Sequence, residues 1–427
     1  MDLAGFHAGR SGSRAHAILA KPYSGAVVGI AIGLVALTLL TAAFVFGLDW
    51  AQTWRTIRFP GVALPPFHDL YHVANTAGEC AVSGESYPYT GCGYRGGKFN
   101  YPPVWLLLGH LGISAADTVW LAAAIELLAI VLLTILLRGR SIALGLVALP
   151  MVLSPSTILA VERANSDIVE WILVCAAAQI YSERRKAAAF AAALLLSLAI
   201  ALKFIALFCA ALIVRFSRTA IAVSAALIVF TLFYLYSLTD ALPQIRKITP
   251  VSPYISYGYT IIFDRFEFLY APRLGLNVAG LSKSWIPHAA IALALMLAAA
   301  IAAMAWSRRA AACILDDGRD GTAFLFGAGI YCGSFLLLGT NYTYRLIFLL
   351  LCLPQFFDWI ANGKTSRRLA QALIACCIVS MWLKFHPEKT LHINQLTDWI
   401  LFIAMTAIMG LAMLRSLLPK HGDAAAK

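Results

Sequence analysis

Residues 24–48 read SGAVVGIAIGLVALTLLTAAFVFGL and hold no charged side chain. About 20 apolar residues carry an α-helix across the hydrocarbon core of a bilayer, so this run is long enough to span. Arg10, Arg14 and Lys21 precede it. A secretory signal would show a shorter apolar region and a small-residue cleavage site. The run reads instead as a retained first helix. The rest of the chain repeats the pattern: 427 residues, 61% hydrophobic and 13% charged. A soluble domain carries about 25% charged residues. The composition therefore predicts an all-α polytopic membrane protein.

The net charge of +12 does not predict a nucleic-acid partner. The basic residues fall in short gaps between apolar runs: Arg138 and Arg140, Arg184 to Lys186, Arg215 and Arg218, Arg308 and Arg309, Arg367 and Arg368. That is the bias of cytoplasmic loops. With those gaps inside, the predicted helices are 24–48, 117–137, 141–160, 166–182, 187–202, 204–214, 219–238, 286–306, 322–338, 345–360, 369–384 and 396–415. This is about twelve passes, within a range of eleven to thirteen. The 204–214 run is only about half a bilayer long as an α-helix. The 104–113 run reads as an interfacial helix. The chain divides into a cytoplasmic tail (1–23), one transmembrane catalytic domain (24–415) and a second cytoplasmic tail (416–427). The expected setting is the inner membrane, with function on the outer face.

That face holds the loop 49–116, the loop 239–285, and short polar caps at 162–167, 340–345 and 384–395. Cys80 and Cys92 share the first loop. In an oxidising compartment they form a disulfide, and otherwise they are two free thiols; the sequence leaves both open. Asp69, in FHDLY (67–71), has two readings. It is a general base beside an apolar interface, or it is the N-cap of an amphipathic helix. Tyr101-Pro102-Pro103 reads by itself as a helix start. Tyr254, Tyr257, Tyr259 and Tyr270 have two readings, stacking on sugar faces or an aromatic belt at the headgroups, and the belt suits most of them better. Lys203 lies between two apolar runs and is a functional candidate at membrane depth, or a lysine paired with Glu126 or Glu170.

Taken in order, these motifs resemble a known family. An acid follows the first helix, in DLYHVANTAGECAVSGESYPY (69–89), and KFNYPPVW (98–105) opens an apolar helix. ERANSDIVEWIL (162–173), AIALKFIALF (199–208) and NYTYRLIFLLLCLPQ (341–355) follow. The set resembles the C-type glycosyltransferases, polytopic enzymes that use polyprenyl-phosphate sugars. It is most similar to the polyprenyl-phosphate-mannose-dependent alpha-mannosyltransferases. It departs from them at Tyr71-His72, where the family carries Val-Tyr, and in a longer loop.

The resemblance implies an inverting transfer in one displacement, with Asp69 as the base. The donor is a polyprenyl-phosphate-linked sugar and the acceptor a glycolipid or glycan hydroxyl. The leaving phosphate needs cations, and the candidates are Arg345, Lys203, Arg163 and Arg273. Candidate substrate-binding residues are His68, Tyr71, His72, Tyr101, Glu162, Asn165, Asp167, Asn341 and Tyr344; Glu162, Arg163, Asn165 and Asp167 have a second, slightly favoured reading as a cap fixed by pairing among themselves. No cofactor is expected, and no Asp-x-Asp pair or His/Cys spacing suggests a metal. The competing class is a transporter or lipid flippase. Such proteins often carry matching halves, whereas here the two large outer loops follow helices one and seven and differ in content.

Overall fold

The computed structural model describes residues 67–84, 92, 99–249, 256–276, 278, 280–307, 315–316, 318–337, 341–362, 364–383 and 387–417. The first apolar run, 24–48, and Tyr254 lie outside the described residues, as do His386 and the side chain of His392, two histidines of the 384–395 cap that read from the sequence as able to orient the acceptor or the phosphate.

The described chain is helical apart from one two-residue strand pair. Helix α1 (His68–Ser83) buries Leu70, Val73, Ala74, Ala77 and Cys80, the spacing of one helical face. It stops at Gly84, whose φ of 71° suits a residue without Cβ. Pro103 opens a 3₁₀ turn (Pro103–Leu106) that runs into α2 (Leu107–His110). Ser114 and Asp117 form a reciprocal capping box ahead of α3 (Thr118–Leu136).

Ser141 caps α4 (Ile142–Val152), and Ser154 caps α5 (Pro155–Glu162). The two meet at a 67° bend. Pro155 has no N–H to continue the earlier helix, and Ser154 caps a new one. The straight pass expected over 141–160 is therefore broken.

Asn165 caps α6 (Ser166–Tyr181). Helix α7 (Lys186–Leu202) ends where Lys203 turns extended, at φ −167° and ψ 128°. A 3₁₀ helix then runs from Phe204 to Arg215. At about 2.0 Å per residue, its twelve residues cover about 24 Å, against about 18 Å for an α-helix. The stretch is thus longer than an α-helix of the same residues, and it remains too short to count among the helices long enough to cross a membrane.

Helices α8 (Arg218–Ser237) and α9 (Ala241–Ile248) follow. Strand β1 (Ser256–Tyr257), α10 (Ile261–Arg265), α11 (Ile286–Ser307) and α12 (Arg319–Leu337) come next. Strand β2 (Asn341–Tyr342) pairs antiparallel with β1, Ser256 opposite Tyr342. A second 3₁₀ helix (Thr343–Cys352) continues into α13 (Leu353–Asn362). Helices α14 (Lys364–Trp382) and α15 (Pro387–Leu417) close the described chain.

Helix α12 is the axis of the core and is buried over most of its length. Its glycines let two helices come close. A Cβ at Gly327 would meet the Phe348 carbonyl, and one at Gly329 or Gly333 would meet Phe208. Both 3₁₀ helices thus press on opposite flanks of α12.

At the end of the bundle where α12 begins, Arg140 and Arg319 both pair with Asp320. Arg215 donates to Thr322 Oγ1 and to the Asp316 carbonyl, each at 2.8 Å.

Among the described residues six helices are long and apolar enough to cross a membrane: 115–136, 218–237, 286–307, 319–337, 343–361 and 393–417. The bent pair α4–α5, taken as one span, makes seven. The chain is thus an all-α polytopic membrane protein in which twelve full-length passes do not appear among the described residues.

Candidate functional site

The site forms where α5 ends and α6 begins. The turn between them carries Ala164 at φ 44°, a left-handed conformation that costs an alanine about 1–2 kcal/mol. The α1 helix docks on this turn through its backbone. Phe67 N–H donates to the Glu162 carbonyl at 2.7 Å, and Leu70 N–H to the Arg163 carbonyl at 3.4 Å. The first turn of α1 therefore hands free N–H groups to carbonyls at the end of α5, and no side chain caps it. Asp69 sits in that first turn but does not cap the helix. The capping role left open from the sequence does not apply.

Freed from capping, the Asp69 carboxylate faces the turn. Asn165 Nδ2 donates to its Oδ2 at 2.5 Å, and Arg163 Nη1 lies 3.8 Å from Oδ1. Asp69 and Arg163 are mostly buried, their side chains 13% and 15% exposed. Tyr101 is buried within electrostatic reach of Asp69, Tyr344, Asp167 and Arg163. Burial pushes its phenol well above the ordinary tyrosine range, and Asp69 adds to the effect.

Two residues past Asn165, Asp167 is fully buried and shared by two cations. Lys203 Nζ lies 2.5 Å from its Oδ1, and Arg345 Nε 3.6 Å from its Oδ2. Each cation has a further contact. Lys203 donates to Ser166 Oγ at 3.2 Å and stands 5.6 Å above the Tyr344 ring. Arg345 Nη1 donates to Asn341 Oδ1 at 2.5 Å, and Asn341 Nδ2 donates to the Ser334 carbonyl at 2.7 Å. Lys203 thus pairs with Asp167 rather than with Glu126 or Glu170. The extended backbone at Lys203 turns its side chain toward the start of α6. Glu170, one turn along α6, is also buried and within reach of both cations.

The 3₁₀ turn Pro103–Leu106 supports this arrangement: Trp105 Nε1 donates to the Leu202 carbonyl at 3.0 Å, beside Lys203. Cys80 and Cys92 are joined in a disulfide that ties the last turn of α1 to the segment leading to Phe99 and Tyr101.

Glu162 is buried in the turn. His68 is half-buried next to Asp69. His72 packs on Phe99, with ring centroids 6.4 Å apart. Tyr71 points out of the site and is 39% exposed. Arg273 is exposed in a separate 3₁₀ turn (Pro272–Leu274) and does not join the other cations. Tyr257, expected in a surface belt, is fully buried, stacked on Tyr331 and within reach of Arg345 and Asp167. The pairing of β1 with β2 draws it inward. Neither this two-residue pairing nor the Ser166 contact has a signal in the sequence.

Chemically, the site offers two hydrogen-bonded carboxylates, Asp69 beside Arg163 and Asp167 between Lys203 and Arg345, with amides and phenols around them. Among the described residues no three His, Cys, Asp or Glu side chains come together as metal ligands do. No family model matches the chain, and no curated protein and no solved structure is significantly similar to it.

Proposed function

We propose that the protein is a membrane glycosyltransferase that moves a sugar from a polyprenyl-phosphate donor to a hydroxyl acceptor. The sugar is mannose or another hexose or pentose, and transfer takes place on the outer, periplasmic face. The observation that carries this reading is the gathering, around Tyr344, of the Asp69–Arg163 pair and of Asp167 with Lys203 and Arg345, from distant parts of the chain. The resemblance of the ordered motifs to the C-type glycosyltransferases supports it from the sequence side.

In this reading the acceptor oxygen attacks the anomeric carbon from the face opposite the phosphate. Asp69 takes the hydroxyl proton. The new bond is acceptor oxygen to anomeric carbon; the bond broken joins that carbon to the phosphate oxygen. The electron pair leaves with polyprenyl phosphate, and the configuration inverts. Asp167 holds Lys203 and Arg345 in place beforehand, and the departing phosphate becomes a further counter-ion of the same cations. Fixed charges aimed at the site of charge development are the strongest form of such stabilisation.

The test is incubation of the purified protein in nanodiscs with a panel of polyprenyl-phosphate sugars and hydroxyl acceptors, with EDTA present. Loss of sugar from one donor, with an inverted product, is expected. A protein that instead carries an intact polyprenyl-phosphate sugar across the bilayer would be a flippase, and the proposal would fall.

A further inference from the structure

Asn165 has two jobs, and they use different ends of one side chain. Its Oδ1 accepts from the Asp167 backbone N–H at 2.9 Å and caps α6. Its Nδ2 donates to Asp69 Oδ2. The amide cannot be turned round: a backbone N–H only donates, so the atom facing Asp167 must be the oxygen. The nitrogen is thereby fixed toward Asp69. Capping alone does not require asparagine, because aspartate or serine would serve as well. The donated hydrogen bond favours it: ionised aspartate has no donor, and serine has one only on the same oxygen that caps, whereas asparagine caps with Oδ1 and donates from a separate Nδ2.

We propose that Asn165 is the positioning residue of Asp69: it pins Oδ2 and leaves Oδ1 to receive the acceptor's proton. This rests on the reading of Asp69 as the base. Arg163, at 3.8 Å, is too distant to hydrogen-bond Oδ1. The placement of α1 does not depend on Asn165, because the backbone bonds to Glu162 and Arg163 seat the helix. The titratable groups around Asp69 are His68 beside it, Arg163 from the turn, Tyr101 from the outer segment, and Tyr342 and Tyr344 from β2 and the 3₁₀ helix that follows.

Asn165→Asp separates the two jobs. It keeps the cap, removes the donor and sets a second carboxylate against Asp69. Losing a donor and gaining a like charge both disfavour the ionised carboxylate. The acid limb of the pH–rate profile should therefore move up by about one unit or more. Asp69 would still be ionised at neutral pH, so the fall in kcat expected there, about tenfold, comes from the lost orientation of the carboxylate. Donor KM should stay near wild type, while Tm should fall at neutral pH, where two mostly buried carboxylates stand side by side, and recover toward acid pH. Asn165→Ala loses the cap as well, so its Tm should fall along with kcat.

A readout independent of turnover is the ¹³C titration of the Asp69 carboxyl, assigned by its loss in Asp69→Asn. Its midpoint should rise in Asn165→Asp. An unmoved midpoint, or a wild-type kcat and pH profile, would overturn the proposal. If the midpoint moves but wild type transfers no sugar, the positioning contact stands and the transferase reading alone fails.

Discussion

Asp69 and Arg345 can each be tested with one near-isosteric change. Asp69→Asn keeps the side chain's shape and its place in α1, whose start is held by backbone bonds. Transfer should fall by about 10²–10⁴-fold, the usual worth of a general base, while donor binding and Tm hold. Full activity in a folded Asp69→Asn protein would remove it from the mechanism. Arg345 reaches Asp167 and Asn341 from two edges of one guanidinium. A lysine ammonium is a point charge and cannot span both. Arg345→Lys should lower kcat/KM by about ten- to a hundredfold, the value of one charged hydrogen bond of roughly 1.5–3 kcal/mol. Unchanged turnover would reduce Arg345 to an anchor. These residues were legible because each is polar beside a long apolar run. Which of them pair was not: Asp167, Lys203 and Arg345 are far apart in the chain, and only the break at Lys203 and the start of the second 3₁₀ helix bring them together.

Helix α1 is placed by contacts distributed along its length. Gly109 lets α2 approach so closely that a Cβ there would run into the Ala77 carbonyl. Gly109→Ala should push the two helices apart at a cost of about 1–3 kcal/mol, the usual range for overpacking. Activity should drop with Tm, and a variant with wild-type Tm and turnover would show that the contact is dispensable. At the other end, the Cys80–Cys92 disulfide closes a loop of sequence separation 12. Replacing both cysteines by serine should remove about 3 kcal/mol, much of it local to α1. Hydrogen exchange should speed up over 68–83 and stay constant over 319–337; uniform acceleration would mean that the clip supports the whole bundle. Amphipathic spacing made α1 readable, and SPS at 154–156 carried a stop-and-restart signal that a hydropathy reading passes over. The long 3₁₀ stretches were not readable, because their apolar residues would suit an α-helix equally well.

Across the molecule, buried and lipid-facing helices separate cleanly. The 319–337 and 343–361 spans are mostly buried inside the protein, whereas 115–136 and 286–307 expose most of their surface. Apolar composition alone marks both kinds as spans. One broken helix pair and two shorter apolar helices, none of them a full-length span alone, then inflate the number of passes read from it. The basic-gap bias still makes a definite topological prediction. Ala116→Cys, at the end holding Asp69, should react with an impermeant thiol reagent in intact cells. Glu183→Cys, just past α6 at the opposite end, should react only after permeabilisation. The reverse pattern would invert the orientation.

The 204–215 helix behaves as a screw clamped at both ends. Arg215 is fixed at one end by Thr322 and the Asp316 carbonyl, and Lys203 at the other by Asp167. Rewinding its twelve residues from 3₁₀ to α pitch would shorten it by about 6 Å. With Arg215 held, that travel would draw the ammonium away from its carboxylate. The charge geometry at one face of the bundle is thus metered by helix pitch against an anchor at the other face. If the pitch did change, releasing Arg215 from Thr322 and Asp316 would free Lys203 to stay on Asp167.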